Sequence, residues 1–121
     1  MILEFDNTIP IYIQIVVYFK LEIIYNKLKP GEKLPSVRDL ALQSRVNPNT
    51  MQKALTELEN MKLIYTERTN GKYVTTDTEL INKIKSEYAY KISNDYFSNM
   101  ENIGYSKKDA IDYLKQLGGN K

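Results

Sequence analysis

The sequence predicts a mainly α-helical protein with a small β-hairpin, an α+β fold, and three features point to it. Two short helical segments with clear start signals flank a tight turn between Leu34 and Met61. An Asn70-Gly71 pair then separates two short β-prone runs, which is the strongest short-range signal of a hairpin. From Ile81 onward apolar residues recur at intervals of three and four, as they do in amphipathic helices.

The composition narrows the classes of function. The chain of 121 residues has room for one modest core and an appendage, and it contains neither cysteine nor histidine. This absence excludes disulfides and the common thiolate and imidazole metal sites, and leaves only carboxylates, lysine or tyrosine for catalysis. We therefore expect no metal, no cofactor and no enzymatic activity.

No membrane or export segment is predicted. Residues 1–7 carry Glu4 and Asp6 where a signal peptide would have a basic run. The apolar stretch Ile9–Phe19 is too short to span a bilayer and is interrupted by Gln14. We expect a cytoplasmic protein without a membrane partner.

The positive charge is concentrated in one part of the chain. The formal net charge is +2, and residues 30–75 carry this whole excess because the flanking segments each sum to zero. All the arginines, Arg38, Arg45 and Arg68, lie in that segment. Arginine suits bidentate contacts with phosphate and guanine, so the distribution indicates a local nucleic-acid footprint.

The first predicted helix occupies Pro10–Leu28. Its β-branched and aromatic residues favour a strand by propensity alone, but an uninterrupted segment with proline at its start and Pro30-Gly31 at its end fits a helix better.

A helix-turn-helix is predicted next. Ser36 and Asp39 form a capping box that starts a helix near Val37, and Asn47 with Pro48 starts a second one after the turn. The second helix has an apolar stripe for the core and an opposite polar face, which consists of Asn49, Gln52, Lys53 and Thr56. Asparagine and glutamine can bond adenine bidentately, lysine can reach guanine or phosphate, and threonine can touch a base edge.

A hairpin and a helical tail complete the chain. Leu63–Thr66 and Lys72–Thr75 are the predicted strands, with a polar tip between them. A long helix then runs from Thr78 to about Glu101, and Ser106 caps a last helix that ends at Leu117 before Gly118-Gly119. The apolar stripes of these two helices need a partner, either the first domain or a second copy of the chain.

Helix, helix, turn, helix and hairpin is the order of a winged helix-turn-helix. The sequence resembles the GntR family of bacterial transcription regulators over residues 10–76. The matching residues are Pro10-Ile-Tyr12 with Gln14-Ile15, Pro30-Gly-Glu-Lys-Leu-Pro-Ser-Val-Arg-Asp-Leu-Ala41, Val46-Asn-Pro-Asn-Thr50, Ala54-Leu55, Leu58-Glu59 and Gly71. The short tail and the turn resemble the YtrA-type subgroup, whose members dimerise through two C-terminal helices.

The resemblance implies a DNA-binding domain at 1–76 and a dimerisation tail at 77–121. Its DNA-contacting positions carry over to Ser36, Arg38, Asn49, Thr50, Gln52, Lys53, Arg68, Asn70, Gly71 and Lys72. The dimerisation stripe is expected at Ile81, Ile84, Tyr88, Ile92 and Tyr96. The expected function is a homodimeric regulator of an operon, such as a transporter operon, that represses by binding a palindromic operator in double-stranded DNA.

Two alternatives remain. A small-molecule effector could bind at the dimer interface through Tyr88, Tyr96 or Glu101, although tyrosines at helical spacing more often belong to a core. The winged helix could also be a protein-interaction module. Such an interface favours aromatic residues, and the polar face has none.

Overall fold

The computed structural model describes residues 3–119 and confirms a mainly α-helical fold with a small hairpin. Its elements are α1 (Ile11–Ile24), α2 (Val37–Ser44), α3 (Pro48–Asn60), β1 (Ile64–Glu67), β2 (Gly71–Val74), α4 (Thr78–Asn102) and α5 (Lys107–Gly119). None of the helices in this described range is long and apolar enough to cross a membrane.

The chain forms two compact units, residues up to 82 and residues from 83 onward. α4 starts in the first unit and continues into the second. The boundary predicted between residues 76 and 77 stays a prediction.

The core of the first unit lies between α1, α2, α3 and the hairpin. α3 contributes Met51, Ala54, Leu55 and Leu58, which are completely buried, whereas Met61, next in the same apolar pattern, follows the end of the helix and is half-buried. The other buried apolar residues of this core are Ile15, Val16, Phe19, Ile23, Leu34, Leu40, Ala41, Leu63, Ile64 and Val74. Burying one face of α3 in this way leaves its polar face directed outward.

α1 ends at Ile24, so the predicted end at Leu28 is wrong. Asn26 takes a left-handed conformation with φ of 64°, which asparagine tolerates better than most residues. The backbone N–H groups of Lys27 and Leu28 then both donate to the carbonyl of Glu22, at 3.0 and 3.1 Å. These bonds close the helix before Pro30-Gly31 is reached.

Both predicted helix starts around the turn are confirmed. The Ser36 hydroxyl accepts from the N–H of Asp39 at 3.1 Å, and the Asn47 side chain accepts from the N–H of Asn49 at 2.7 Å. Arg45 ends α2 in a left-handed conformation with φ of 56°. The side chains of the turn residues thus fix where α3 begins.

The hairpin differs from the predicted one in its turn. β1 and β2 pair antiparallel with Glu67 opposite Gly71, so three residues, 68–70, form the loop and Gly71 already belongs to a strand. The Asn70-Gly71 pair is therefore not the whole turn. Gly71 has a φ of 107°, which L side chains rarely adopt.

A third segment, residues 31–34, pairs with the hairpin, and this pairing was not predicted from the sequence. Leu34 donates its N–H to the carbonyl of Lys72 at 2.8 Å, and Val74 donates to Glu32 at 2.9 Å. A bridge between Lys33 and Tyr73 lies between these bonds. The chain entering α2 is thereby attached to β2.

The second unit contains most of α4 and all of α5. Gly104, with φ of 100°, follows the end of α4, and the Ser106 hydroxyl accepts from the N–H of Asp109 at 3.1 Å to cap α5. The predicted end at Leu117 is wrong, because α5 continues through Gly118 and Gly119. Within this unit the Tyr96 hydroxyl donates to the carbonyl of Ala110 at 2.7 Å.

Candidate nucleic-acid interface

The polar face of α3 is the centre of the candidate site. Asn49, Gln52, Lys53 and Thr56 are all exposed, while the apolar stripe behind them is completely buried. Thr50, also predicted to contact DNA, is half-buried. The buried stripe fixes the helix in place, and the opposite face presents hydrogen-bonding groups to solvent. A recognition helix that enters a major groove has this arrangement.

Two side chains of this face are connected along the helix. Gln52 donates its amide N–H to the Thr56 hydroxyl at 3.2 Å, and that hydroxyl donates to the carbonyl of Gln52 at 2.9 Å. This arrangement leaves the amide oxygen and one amide N–H of Gln52 for an external partner.

Lys53 interacts with a different helix. Its ammonium lies 4.0 Å from the centre of the Tyr12 ring, in the geometry of a cation–π contact. An open notch of about 430 Å³ adjoins this contact, and its lining residues are Ile11, Tyr12, Asn49, Thr50 and Lys53. The notch lies between the start of α1 and the first two turns of α3.

Ser36 and Arg38 lie at the start of α2, and both are exposed. The Ser36 oxygen accepts the capping bond from Asp39, so its hydroxyl hydrogen is left to donate outward. Arg38 carries a guanidinium, which fits phosphate oxygens or a guanine edge bidentately. A polar donor and a cation are therefore displayed beside each other.

The hairpin tip displays Arg68, Asn70 and Gly71 to solvent, but Lys72 is oriented inward. The Lys72 ammonium forms an ion pair with Glu59 near the end of α3. It also donates to the Thr66 hydroxyl at 3.0 Å. The predicted DNA contact of Lys72 remains untested, and in this structure its ammonium joins the hairpin to α3.

The structure brings the start of α2 close to the hairpin. An open groove of about 760 Å³ is lined by residues 32–37 together with Thr66 and residues 70–72, so Ser36 faces the hairpin tip. Two relevant partners, Tyr12 and Glu59, were not identified from the sequence as site residues. Neither forms a recognisable motif with Lys53 or Lys72, since long-range packing of elements creates both contacts.

The proposed dimerisation residues lie along α4. Within the second unit Ile84, Tyr88 and Tyr96 are half-buried and Ile92 is 65% exposed; Ile81 is half-buried in the first unit. α4 contains no fully buried residue, and α5 contains only Ala110. Among residues 3–119 no cluster of acidic side chains could hold a metal ion.

Comparison with known proteins agrees with this geometry. Residues 11–74 match the family described as bacterial regulatory proteins, gntR family. A GntR family transcriptional regulator from Listeria monocytogenes is 40% identical, with a TM-score of 0.84 over 93% of this chain and 98% of that one. Similarity therefore extends over the helical tail as well as the winged domain.

Two further likenesses cover mainly the first unit. The HTH-type transcriptional repressor YtrA of Bacillus subtilis is 42% identical over 73 residues, which are 60% of this chain and 56% of that protein. The DNA-binding domain of AraR, solved in complex with its operator ORX1, is 25% identical, with a TM-score of 0.57 over 62% of this chain and 95% of that one. The polar face, the winged architecture and these matches together identify the chain as a member of the GntR family, a DNA-binding transcriptional regulator and not an enzyme.

Proposed function

We propose that this protein is a homodimeric repressor that acts in the cytoplasm by binding a palindromic operator in double-stranded DNA. The observation that carries the proposal is the exposed polar face on the completely buried apolar stripe of α3. The regulated genes would form an operon, such as a transporter operon, as the family resemblance implies.

Each part of the interface has a different role in this proposal. Asn49 and Gln52 read base edges in the major groove, while Ser36 and Arg38 set the register against phosphate or a neighbouring base. Arg68 and Asn70 at the hairpin tip follow the minor groove or the backbone. The exposure of all these side chains supports the assignment.

The helical tail supports the dimer. α5 carries exposed apolar residues, namely Ile111, Tyr113, Leu114 and Leu117, and α4 exposes Tyr90 and Ile92. α4 has no buried residue and α5 has only one, so most of the apolar surface of these helices is exposed. Such a surface favours association with another copy of the chain. A two-fold dimer would present two recognition helices to two related half-sites.

Fluorescence anisotropy on DNA tests the proposal directly. The purified protein would be titrated into duplexes that tile the region upstream of its own gene, with a scrambled duplex as control, at two salt concentrations. We expect tight binding to one roughly palindromic tile, with steep weakening as salt rises and with the preference for that tile retained.

Half-site duplexes extend the same experiment. A duplex containing one half of the palindrome should bind much more weakly than the complete site, because only one recognition helix can then be used. Equal, weak binding to every tile and to the scrambled duplex would contradict the proposal of an operator at this locus.

A further inference from the structure

The contact between Lys53 and Tyr12 indicates that the residues of the polar face bind different parts of the DNA. We propose that Tyr12 is a positioning residue that holds the Lys53 ammonium toward the phosphate backbone beside the major groove, so Lys53 strengthens DNA binding without reading sequence. This inference rests on the proposed DNA-binding role of α3. It assigns to Tyr12 a role in DNA binding, and for Lys53 it selects phosphate from the two targets named above, guanine and phosphate.

The direction of the side chain is the first argument. Gln52 forms its hydrogen bonds with Thr56 on α3 itself, whereas Lys53 contacts α1. Adjacent residues on a helix point about 100° apart, so these two side chains serve different sides of the helix. Lys53 therefore lies at the edge of the polar face, beside the notch between the start of α1 and the first two turns of α3.

The charge of Lys53 remains available in this position. Ion pairs within 4.0 Å among the described residues involve Lys72 and Lys91, and none involves Lys53. An aromatic ring attracts an ammonium through its quadrupole but does not neutralise it. The contact thus orients a full positive charge, whereas a carboxylate at the same place would cancel its attraction for phosphate.

Restricting the lysine also makes binding more favourable. A free lysine side chain loses rotamer freedom when it binds, and a side chain already held in place loses less. Lysine acts on phosphate as a point charge and lacks the planar fork that arginine uses for bidentate contacts. A positioned lysine is therefore better suited to a phosphate than to discrimination between bases.

The test compares four variants with the wild-type protein: Lys53→Met, Tyr12→Phe, Tyr12→Leu and the double variant Tyr12→Leu/Lys53→Met. Affinity would be measured by anisotropy across a salt series, on the preferred tile and on the scrambled duplex. Lys27→Met, which removes an exposed lysine from the turn after α1, is the control for net charge. Thermal unfolding of each variant establishes that it is folded at the assay temperature.

We expect Lys53→Met to weaken binding to both duplexes by the same factor. The slope of log K against log salt should become shallower by about 0.9, the value for one phosphate contact. Tyr12→Leu should weaken binding by about two- to fivefold, as loss of a cation–π contact implies, and Tyr12→Phe should retain wild-type affinity. Tyr12→Leu should have no further effect once Lys53 is Met, and Lys27→Met should leave affinity and slope close to wild type.

Three results would overturn the inference. The first is loss of preference for the specific tile in Lys53→Met at an unchanged salt slope, since Lys53 would then read a base. The second is an equal effect of Tyr12→Leu with and without Lys53, which would indicate a merely structural tyrosine. The third is a loss in Tyr12→Phe as large as in Tyr12→Leu, because the hydroxyl and not the ring would then be responsible.

The scrambled duplex separates this inference from the proposed function. A phosphate contact is measurable on any sequence, so the Lys53 comparison decides the inference even if no tile is preferred. Absence of preference alone would contradict only the operator, whereas absence of salt-dependent binding to every duplex would overturn both proposals.

Discussion

At the scale of single residues, the cations of the DNA-binding unit are not equivalent. Arg38 is exposed at the second position of α2, where its guanidinium has access to a ligand. Lys72 instead has only 16% of its side chain exposed and forms an ion pair with Glu59, whose side chain is 32% exposed. Position in the chain therefore does not show which cation can contact DNA.

Arg38→Ala is expected to abolish useful discrimination between operator and scrambled DNA. Loss of one bidentate contact to a base costs roughly 1 to 3 kcal/mol, and a two-fold dimer loses this contact in both half-sites. The combined loss of roughly 2 to 6 kcal/mol is a large part of the roughly 4 to 10 kcal/mol by which specific binding exceeds non-specific binding. The measurement is the ratio of affinities on the two duplexes, with Gln43→Ala as a control at another exposed position of α2. Wild-type discrimination in Arg38→Ala would remove this residue from the interface.

For the Lys72–Glu59 pair we expect an effect on stability. A double-mutant cycle of Lys72→Met and Glu59→Gln, followed by urea unfolding, should give a coupling of about 0.5 to 1 kcal/mol, the upper range for partly exposed pairs. If Lys72→Met left unfolding unchanged but made the salt dependence of DNA binding shallower, Lys72 would instead contact DNA, as the family resemblance implies.

At the scale of secondary-structure elements, the hairpin depends on one backbone conformation. Gly71 pairs with Glu67 at a φ of 107°, and a Cβ at this position would lie 3.5 Å from Cε of Lys33. The space is adequate, so the backbone angle alone sets the cost of a side chain there.

Gly71→Ala should therefore destabilise the first unit by at least about 1 kcal/mol, the order of the cost of a left-handed backbone for residues other than glycine. Gly118→Ala is the matched control, because it lies in α5 at an ordinary φ with open space around its Cβ position. Urea unfolding of both variants would measure the difference. A midpoint of Gly71→Ala equal to that of the wild-type protein would indicate that the hairpin relaxes to another turn at no cost.

Local signals explain which elements were predictable from the sequence. Ser36, Asn47 and Ser106 each satisfy a backbone N–H two or three residues ahead, so the starts of α2, α3 and α5 could be predicted. The end of α1 could not be predicted, because the left-handed Asn26 ends the helix before the proline-glycine pair that begins four residues later. The pairing of residues 31–34 with β2 and the contacts of Tyr12 and Glu59 depend on distant parts of the chain, which no local pattern encodes.

At the scale of the whole molecule, oligomeric state determines how DNA is bound. A monomer presents one recognition helix, whereas a two-fold dimer presents two. Once one helix of the dimer is bound, the other is held near its half-site at a high effective concentration, so the dimer binds more tightly than a monomer. The exposed apolar residues of α4 and α5 are the surface through which we propose that this dimer forms.

Ile92→Asp is expected to weaken the dimer at least about tenfold, since a buried unpaired carboxylate costs well over 1.4 kcal/mol. Ser93→Asp, at the adjacent exposed position of α4, should leave the dimer intact. Analytical ultracentrifugation over a range of concentrations would measure both. A dimer unaffected by Ile92→Asp would place the contact elsewhere, and operator affinity should decrease in parallel with any dissociation.

The attachment of residues 31–34 to β2 also has a consequence for which changes in chain length the fold can accept. Because Gly31, Leu34 and Val74 are held by backbone hydrogen bonds of 2.8 to 2.9 Å, inserting a residue between Gly31 and Ser36 would shift the start of α2 relative to the hairpin. The backbone hydrogen bond of the loop at residues 68–70 stays within the hairpin, from the N–H of Asn70 to the carbonyl of Glu67, and all three residues are exposed. Natural variation in length should therefore be tolerated at the tip of the hairpin and selected against at its base.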